Sequence, residues 1–218
     1  MVSKNSYGDK EFIYGNILFV IIDILITLFS ALFFLYIYWS RLKEDYTQNQ
    51  IFTSGIYILI GIGAGRILAN NFFDAWWFWA AFAGGLIGFI IGISRIHMKI
   101  IETLEAYVIS VLALYLIVAL SALIKTYSPE TLVLFLGIAL FIGLFLFLDR
   151  HYKKFTWYKS GKVGFSGLTV MGLFFLTRSV VAMSGLSVLS FAGDLEVVIS
   201  GIIAFLSFMA VYNLSGKT

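Results

Sequence analysis

Two arginines and one aspartate lie within otherwise apolar stretches of this chain and are its first candidates for chemistry. Arg66 closes the run Gly61-Ile62-Gly63-Ala64-Gly65, Arg178 follows Leu173-Phe174-Phe175-Leu176-Thr177, and Asp23 stands in Ile21-Ile22-Asp23-Ile24-Leu25. A charge inside a membrane span is costly and by default marks a functional site. Guanidinium forks pair with phosphate or carboxylate through two parallel hydrogen bonds, which an ammonium cannot match. Two arginines against one aspartate leave surplus positive charge, so the chemistry on offer is anion capture. A phospholipid headgroup is the most available anion there. The competing reading is that Asp23 neutralises one arginine while the other snorkels to the interface.

The elements that must position these charges follow from composition. Of 218 residues, 61% are hydrophobic and 12% charged, with mean hydropathy +0.96. Soluble domains have about 45–50% apolar and about 25% charged residues. The chain therefore reads as an all-α integral membrane protein with seven transmembrane helices, because its apolar runs approach the ~20 residues that cross a bilayer. The spans are expected at Ile13–Trp39, Ile51–Leu68, Trp76–Ser94, Leu104–Ile124, Leu132–Leu148, Val163–Met183 and Leu195–Tyr212. Residues 1–12 form a polar N-terminal segment, 13–213 the transmembrane domain and 214–218 a cytoplasmic tail. The first apolar run has no small-residue cleavage site after it and reads as a retained helix.

Lysine and arginine set the orientation. Nine of them (Arg41, Lys43, Arg95, Lys99, Arg150, Lys153, Lys154, Lys159 and Lys162) fall in the loops of one side, against Lys4, Lys10 and Lys125 on the other. The nine belong in the cytoplasm, which puts the N-terminus outside and the C-terminus inside, in a plasma membrane. Trp76, Trp77 and Trp79 then fall at the outer interface. Arg66 and Arg178 each lie about 15 residues from the inner end of their spans, roughly 22 Å into a core about 30 Å thick. They reach one level in the outer third, whereas Asp23 lies nearer the midplane. Glycines four apart at Gly84, Gly88 and Gly92 permit close helix approach.

Other chemistry finds little support. The absence of cysteine excludes disulfides and thiolate sites, and the histidines, His97 and His151, fall at cytoplasmic helix ends as solvated residues. No metal site, cofactor motif or nucleophile elbow is legible, and the net charge of +3 reflects one-sided loops rather than nucleic-acid binding. Glu102 and Glu105, and likewise Asp194 and Glu196, open their spans where the helix dipole favours acids. The lysines and aromatics of the segment 149–162 read as topology determinants with interfacial anchors, the alternative being a site for anionic inner-leaflet lipid. The uncharged segment 184–193 reads as lying on the outer surface or dipping partly into it, as a lid.

The landmarks resemble those of the prolipoprotein diacylglyceryl transferase family along most of the chain. Gly63-Ala64-Gly65-Arg66-Ile67-Leu68 is similar to the family's Gly-Ala-Arg-Leu segment, and Phe82-Ala83-Gly84-Gly85-Leu86-Ile87-Gly88 to its Phe-His-Gly-Gly-Leu-Ile-Gly stretch. Gly164-Phe165-x-Gly167 with Leu173 to Arg178 resembles the span that ends in an essential arginine. The resemblance implies seven spans with the N-terminus outside and transfer of diacylglyceryl from phosphatidylglycerol to the lipobox cysteine of a prolipoprotein. It implies that Arg66 and Arg178 hold the phosphate and stabilise charge on departing glycerol phosphate. Gly84 and Gly85 would line the lipid site, and Tyr115 or Asp23 would cover groups that are missing. Those are the family's histidine, replaced by Ala83, and its Gly-Arg-x-Gly-Asn-Phe signature, where Leu114 to Ser121 carries neither arginine nor asparagine. The alternatives are a non-catalytic lipid-binding or partner protein on the same fold, and a small-solute transporter.

Overall fold

The computed structural model describes residues 6–155, 158, 163–183 and 195–216. Seven α-helices carry the chain: α1 (Ser6–Leu42), α2 (Gln48–Phe72), α3 (Trp77–Ile96), α4 (Ile100–Lys125), α5 (Pro129–His151), α6 (Phe165–Met183) and α7 (Leu195–Ser215). All seven contain spans long and apolar enough to cross a membrane, and no strand occurs among the described residues. The helices exceed the apolar runs by a few residues at most ends, because polar residues continue a helix beyond the hydrocarbon. At the N-terminus the excess is larger, since α1 begins at Ser6 rather than Ile13.

Local chemistry explains several boundaries. Ser128 caps α5 by accepting the Thr131 N–H, and Pro129 at the first helical position needs no donor there. Gln50 reaches back to the Thr47 N–H at the start of α2. His97 ends α3 in the left-handed conformation (φ 59°), tolerated by a single residue at a helix terminus.

The tightest packing joins α2 to α3. A side chain on Gly61 would meet the Gly84 carbonyl oxygen, one on Gly65 the Ala80 carbonyl, and one on Gly88 the Tyr57 carbonyl. The pairing order shows the two helices to be antiparallel, backbone against backbone. Small residues make this approach possible where lipid supplies no hydrophobic drive. The hairpin meets the remaining helices differently: α3 touches α4 only sparsely, and the gap is bridged by large rings such as Phe89 on Tyr107, 5.2 Å apart, and Phe78 on Tyr115, 6.0 Å apart.

A polar clasp closes one end of the bundle. Arg41 at the end of α1 donates two 2.8 Å hydrogen bonds to Asp149 on α5, and its guanidinium stands 3.7 Å from Glu105 on α4. Glu105 is buried and accepts the Gly164 N–H at 2.6 Å, tying α4 to the start of α6. The helix dipole is therefore not a sufficient account of Glu105, which joins α4 to α1 and to the entry of α6. Tyr46 adds a second tie, donating to Glu102 and accepting from the Lys99 N–H. Desolvation raises the pKa of the Tyr46 phenol and keeps it a neutral donor. Lysine offers no bidentate fork. Arg41→Lys should therefore lower thermal stability by about 1 kcal/mol, measured as a shift in melting temperature in detergent.

The aromatics of the segment 149–162 behave differently from membrane anchors. Tyr152 and Tyr158 are buried and pack with Phe165, Tyr158 at 4.7 Å between ring centroids. A ring close to a helix terminus serves the core as readily as the interface. Trp157, Lys159, Lys162 and the segment 184–193 lie outside the described residues.

Candidate functional site

At the end of the bundle opposite the Arg41 clasp, both arginines reach α3. The Arg66 guanidinium lies 4.6 Å from the centroid of the Trp77 ring, and that of Arg178 lies 3.7 Å from the Phe78 ring. These rings belong to consecutive residues, 6.2 Å apart in an edge contact. The helix-rise arithmetic that places the arginines at one level agrees with this geometry. Each guanidinium lies over a ring face, the favoured arrangement for a cation and an aromatic quadrupole. The ring of Tyr115, on α4, packs against Phe78 at 6.0 Å between centroids and so stands near the same end.

The environments of the two arginines differ sharply. Arg66 is exposed on α2. Arg178 is 2% exposed and paired with Glu196, whose Oε1 accepts from its Nε and Nη2, both at 2.8 Å. Glu196 is fully buried, and it also accepts from the Trp79 indole at 2.7 Å and from Ser200 at 2.9 Å. The carboxylate thus gathers donors from α3, α6 and α7. Glu196 is more than a dipole-favoured acid at the start of α7, because a buried guanidinium needs a counter-charge and this one supplies it. A buried arginine near the end of one span and an acid just inside the next, at the same end, was the available signal.

Asp23 stands apart from both arginines. It is exposed on α1 and pairs with Lys125, the last residue of α4. Lys125 is ten residues beyond Tyr115 along that helix, about 15 Å by the helical rise. Asp23 therefore belongs at the end of the bundle rather than near its midplane.

The two glycines of the site have backbone roles. Gly84 abuts Gly61, as described above, and a Cβ on Gly85 would approach the Tyr107 hydroxyl and the Ile62 side chain to 2.9 Å. Gly84 thereby seats α3 on α2, and Gly85 leaves room for Tyr107. Ala83 is exposed on α3. Trp79 is buried rather than interfacial, because its N–H is committed to Glu196. His97 is exposed, and His151 shares a hydrogen bond with the Phe147 carbonyl at 2.8 Å. Both histidines lie at the Arg41 end. No cluster of three or more metal-ligating side chains occurs among the described residues.

Below the arginines lies a small cavity of about 50 Å³ between α3, α4 and α6, with apolar walls that include Phe78, Phe82, Val111, Leu112, Tyr115 and Phe174. Chemically, this end offers one exposed cation on an aromatic ring, a neutralised ion pair behind it and an apolar chamber. The exposed cation on a ring face suits an anionic group. No protein-family model, curated protein or solved structure matches this chain.

Proposed function

We propose that this multi-pass membrane protein binds an anionic phospholipid, phosphatidylglycerol in a bacterial plasma membrane, at the Arg66–Trp77–Tyr115 end. The carrying observation is the unequal charge balance of the two arginines: Glu196 neutralises Arg178, whereas Arg66 keeps an exposed guanidinium beside an indole. A cation so placed favours a phosphate at the membrane interface. The distribution of basic residues puts this end on the outer side, with the N-terminus outside and the C-terminus in the cytoplasm. Arg178 acts as a positioning residue, holding Phe78 and the α6–α7 junction around Glu196.

Diacylglyceryl transfer to a lipobox cysteine is the second reading, supported by the sequence resemblance around Arg66, Gly84-Gly85 and Arg178. The geometry supports binding better than transfer. The nearby carboxylate, Glu196, already accepts from Arg178, Trp79 and Ser200, which makes it a weak acceptor for a thiol proton.

Binding is tested by the amount of phosphatidylglycerol retained by the purified protein, read by native mass spectrometry. Arg66→Gln should lower retention about tenfold, equivalent to about 1.4 kcal/mol, with retention of phosphatidylcholine unchanged. Equal retention of both lipids by the parent protein would refute the reading. The transfer arm measures movement of radiolabelled diacylglyceryl to a lipobox peptide. Label on the peptide, abolished by Arg178→Ala and kept in His97→Ala, would establish the enzyme.

A further inference from the structure

We infer that the cleft beside the Arg41 clasp binds a short aliphatic diamine, with both ammonium groups seated on carboxylates. The cleft has a volume of about 190 Å³, well beyond the ~10–15 Å³ that one water needs. Its wall carries four acids, Asp45, Glu102, Glu105 and Asp149, and one cation, Arg41. Arg41 is committed to Asp149 through both terminal nitrogens, and the exposed Lys99 pairs with Glu102 at 2.9 Å. Among the described residues, Asp45 and Glu105 are left with no cation at hydrogen-bond distance, the nearest to Glu105 being Arg41 at 3.7 Å. Two surplus negative charges call for a dication.

Glu105 sets this cleft apart from an ordinary solvated acidic face. Its side chain is 4% exposed, so the carboxylate has given up most of its hydration. Oε2 accepts the Gly164 N–H at 2.6 Å, whereas Oε1 has only the longer approach of Arg41. The Ser166 hydroxyl, fully buried, stands beside the same carboxylate without completing a hydrogen bond. Buried polar atoms left open in this way point to a further polar partner. An ammonium brings three donors and the needed charge. A divalent metal ion fits less well. No three metal-ligating side chains converge among the described residues, and a double charge beside the Arg41 guanidinium is repelled more strongly than a single one. A diamine separates its two charges by methylenes, and Leu42, Ala106 and Val163 supply apolar wall for them.

The test titrates putrescine, the four-carbon diamine, into the purified full chain in detergent at fixed ionic strength, read by calorimetry. Saturable binding of one diamine per chain is expected. Asp45→Asn, at an exposed position, should weaken it about tenfold, the effect of one charge-assisted hydrogen bond. Glu105→Gln should weaken it at least as much, with melting curves reporting whether that buried variant stays folded. Butylamine, which has one ammonium on the same carbon chain, should bind about tenfold more weakly than putrescine. Glu130→Gln, in the first turn of α5 at the opposite end of the bundle, is the control that leaves binding unchanged. The inference is overturned by the absence of saturable heat, by equal binding of the two amines, or by undiminished affinity in Asp45→Asn. Magnesium binding in place of the diamine would overturn it as well.

Discussion

Glu196→Ala is expected to destabilise the protein by about 3–5 kcal/mol, the usual consequence of stranding one partner of a buried ion pair. Arg178 is 2% exposed, and its guanidinium is wedged between the Glu196 carboxylate and the Phe78 ring. Once the carboxylate is removed, the cation keeps its desolvation cost and loses the counter-charge that Glu196 supplied. The Trp79 indole and the Ser200 hydroxyl lose their acceptor in the same step. Glu196→Gln should be milder, since an amide oxygen still accepts but carries no charge. The decisive comparison is the double variant Arg178→Met/Glu196→Leu, which removes both charges. It should recover most of the stability, because apolar replacements of a buried pair are often neutral or stabilising. Thermal unfolding in detergent checks all three. A double variant as unstable as Glu196→Ala would show that the pair contributes through shape rather than charge.

Gly84→Leu is expected to prevent α2 and α3 from closing, at about 3 kcal/mol or more, above the ordinary range for overpacking. Overpacked cores usually relax by rotating side chains, but here the obstacle is the backbone carbonyl of Gly61. No rotamer relieves that contact. The helices must separate, and the neighbouring contacts at Gly65 and Gly88 must be lost with them. Gly63→Ala is the matched control in the same hairpin. Nothing lies within 4 Å of the position a Cβ would take there, so the higher helix propensity of alanine should give a neutral result or a gain of up to about 1 kcal/mol. Yield of monodisperse protein and melting temperature distinguish the two substitutions. Comparable behaviour would mean that the hairpin is looser than its backbone contacts imply.

The seven spans were legible because bilayer thickness sets the length of an apolar run, and the rise of a helix is fixed. The same rise gave the common level of Arg66 and Arg178, since depth along a helix depends only on counting. What counting cannot supply is which helix faces which. Asp23 and Glu196 were both available as counter-ions to a buried arginine, and the sequence alone favoured Asp23 as the acid furthest inside an apolar run. The bundle pairs Asp23 with Lys125 and brings α7 beside α6, so that Glu196 meets Arg178. The clasp of Arg41, Asp149 and Glu105 was hidden for the same reason: its members are separated by 44 and 64 positions in sequence and meet only where α1, α4 and α5 converge. Glycine spacing announced close packing without naming its partner, and the contact of Gly84 with Gly61 supplies it.

The hydroxyl of Tyr46 has a mechanical consequence. It joins the segment before α2 to the segment after α3, through Glu102 and the Lys99 N–H. Both helices of the hairpin are thereby tied through one hydroxyl at the Arg41 end. At the other end, about 30 Å away over the 20 residues of α3, the Trp79 indole fastens the hairpin to Glu196 on α7. The hairpin is therefore a strut pinned near both faces of the membrane, and its backbone contacts at Gly61, Gly65 and Gly88 make it bear load as one piece.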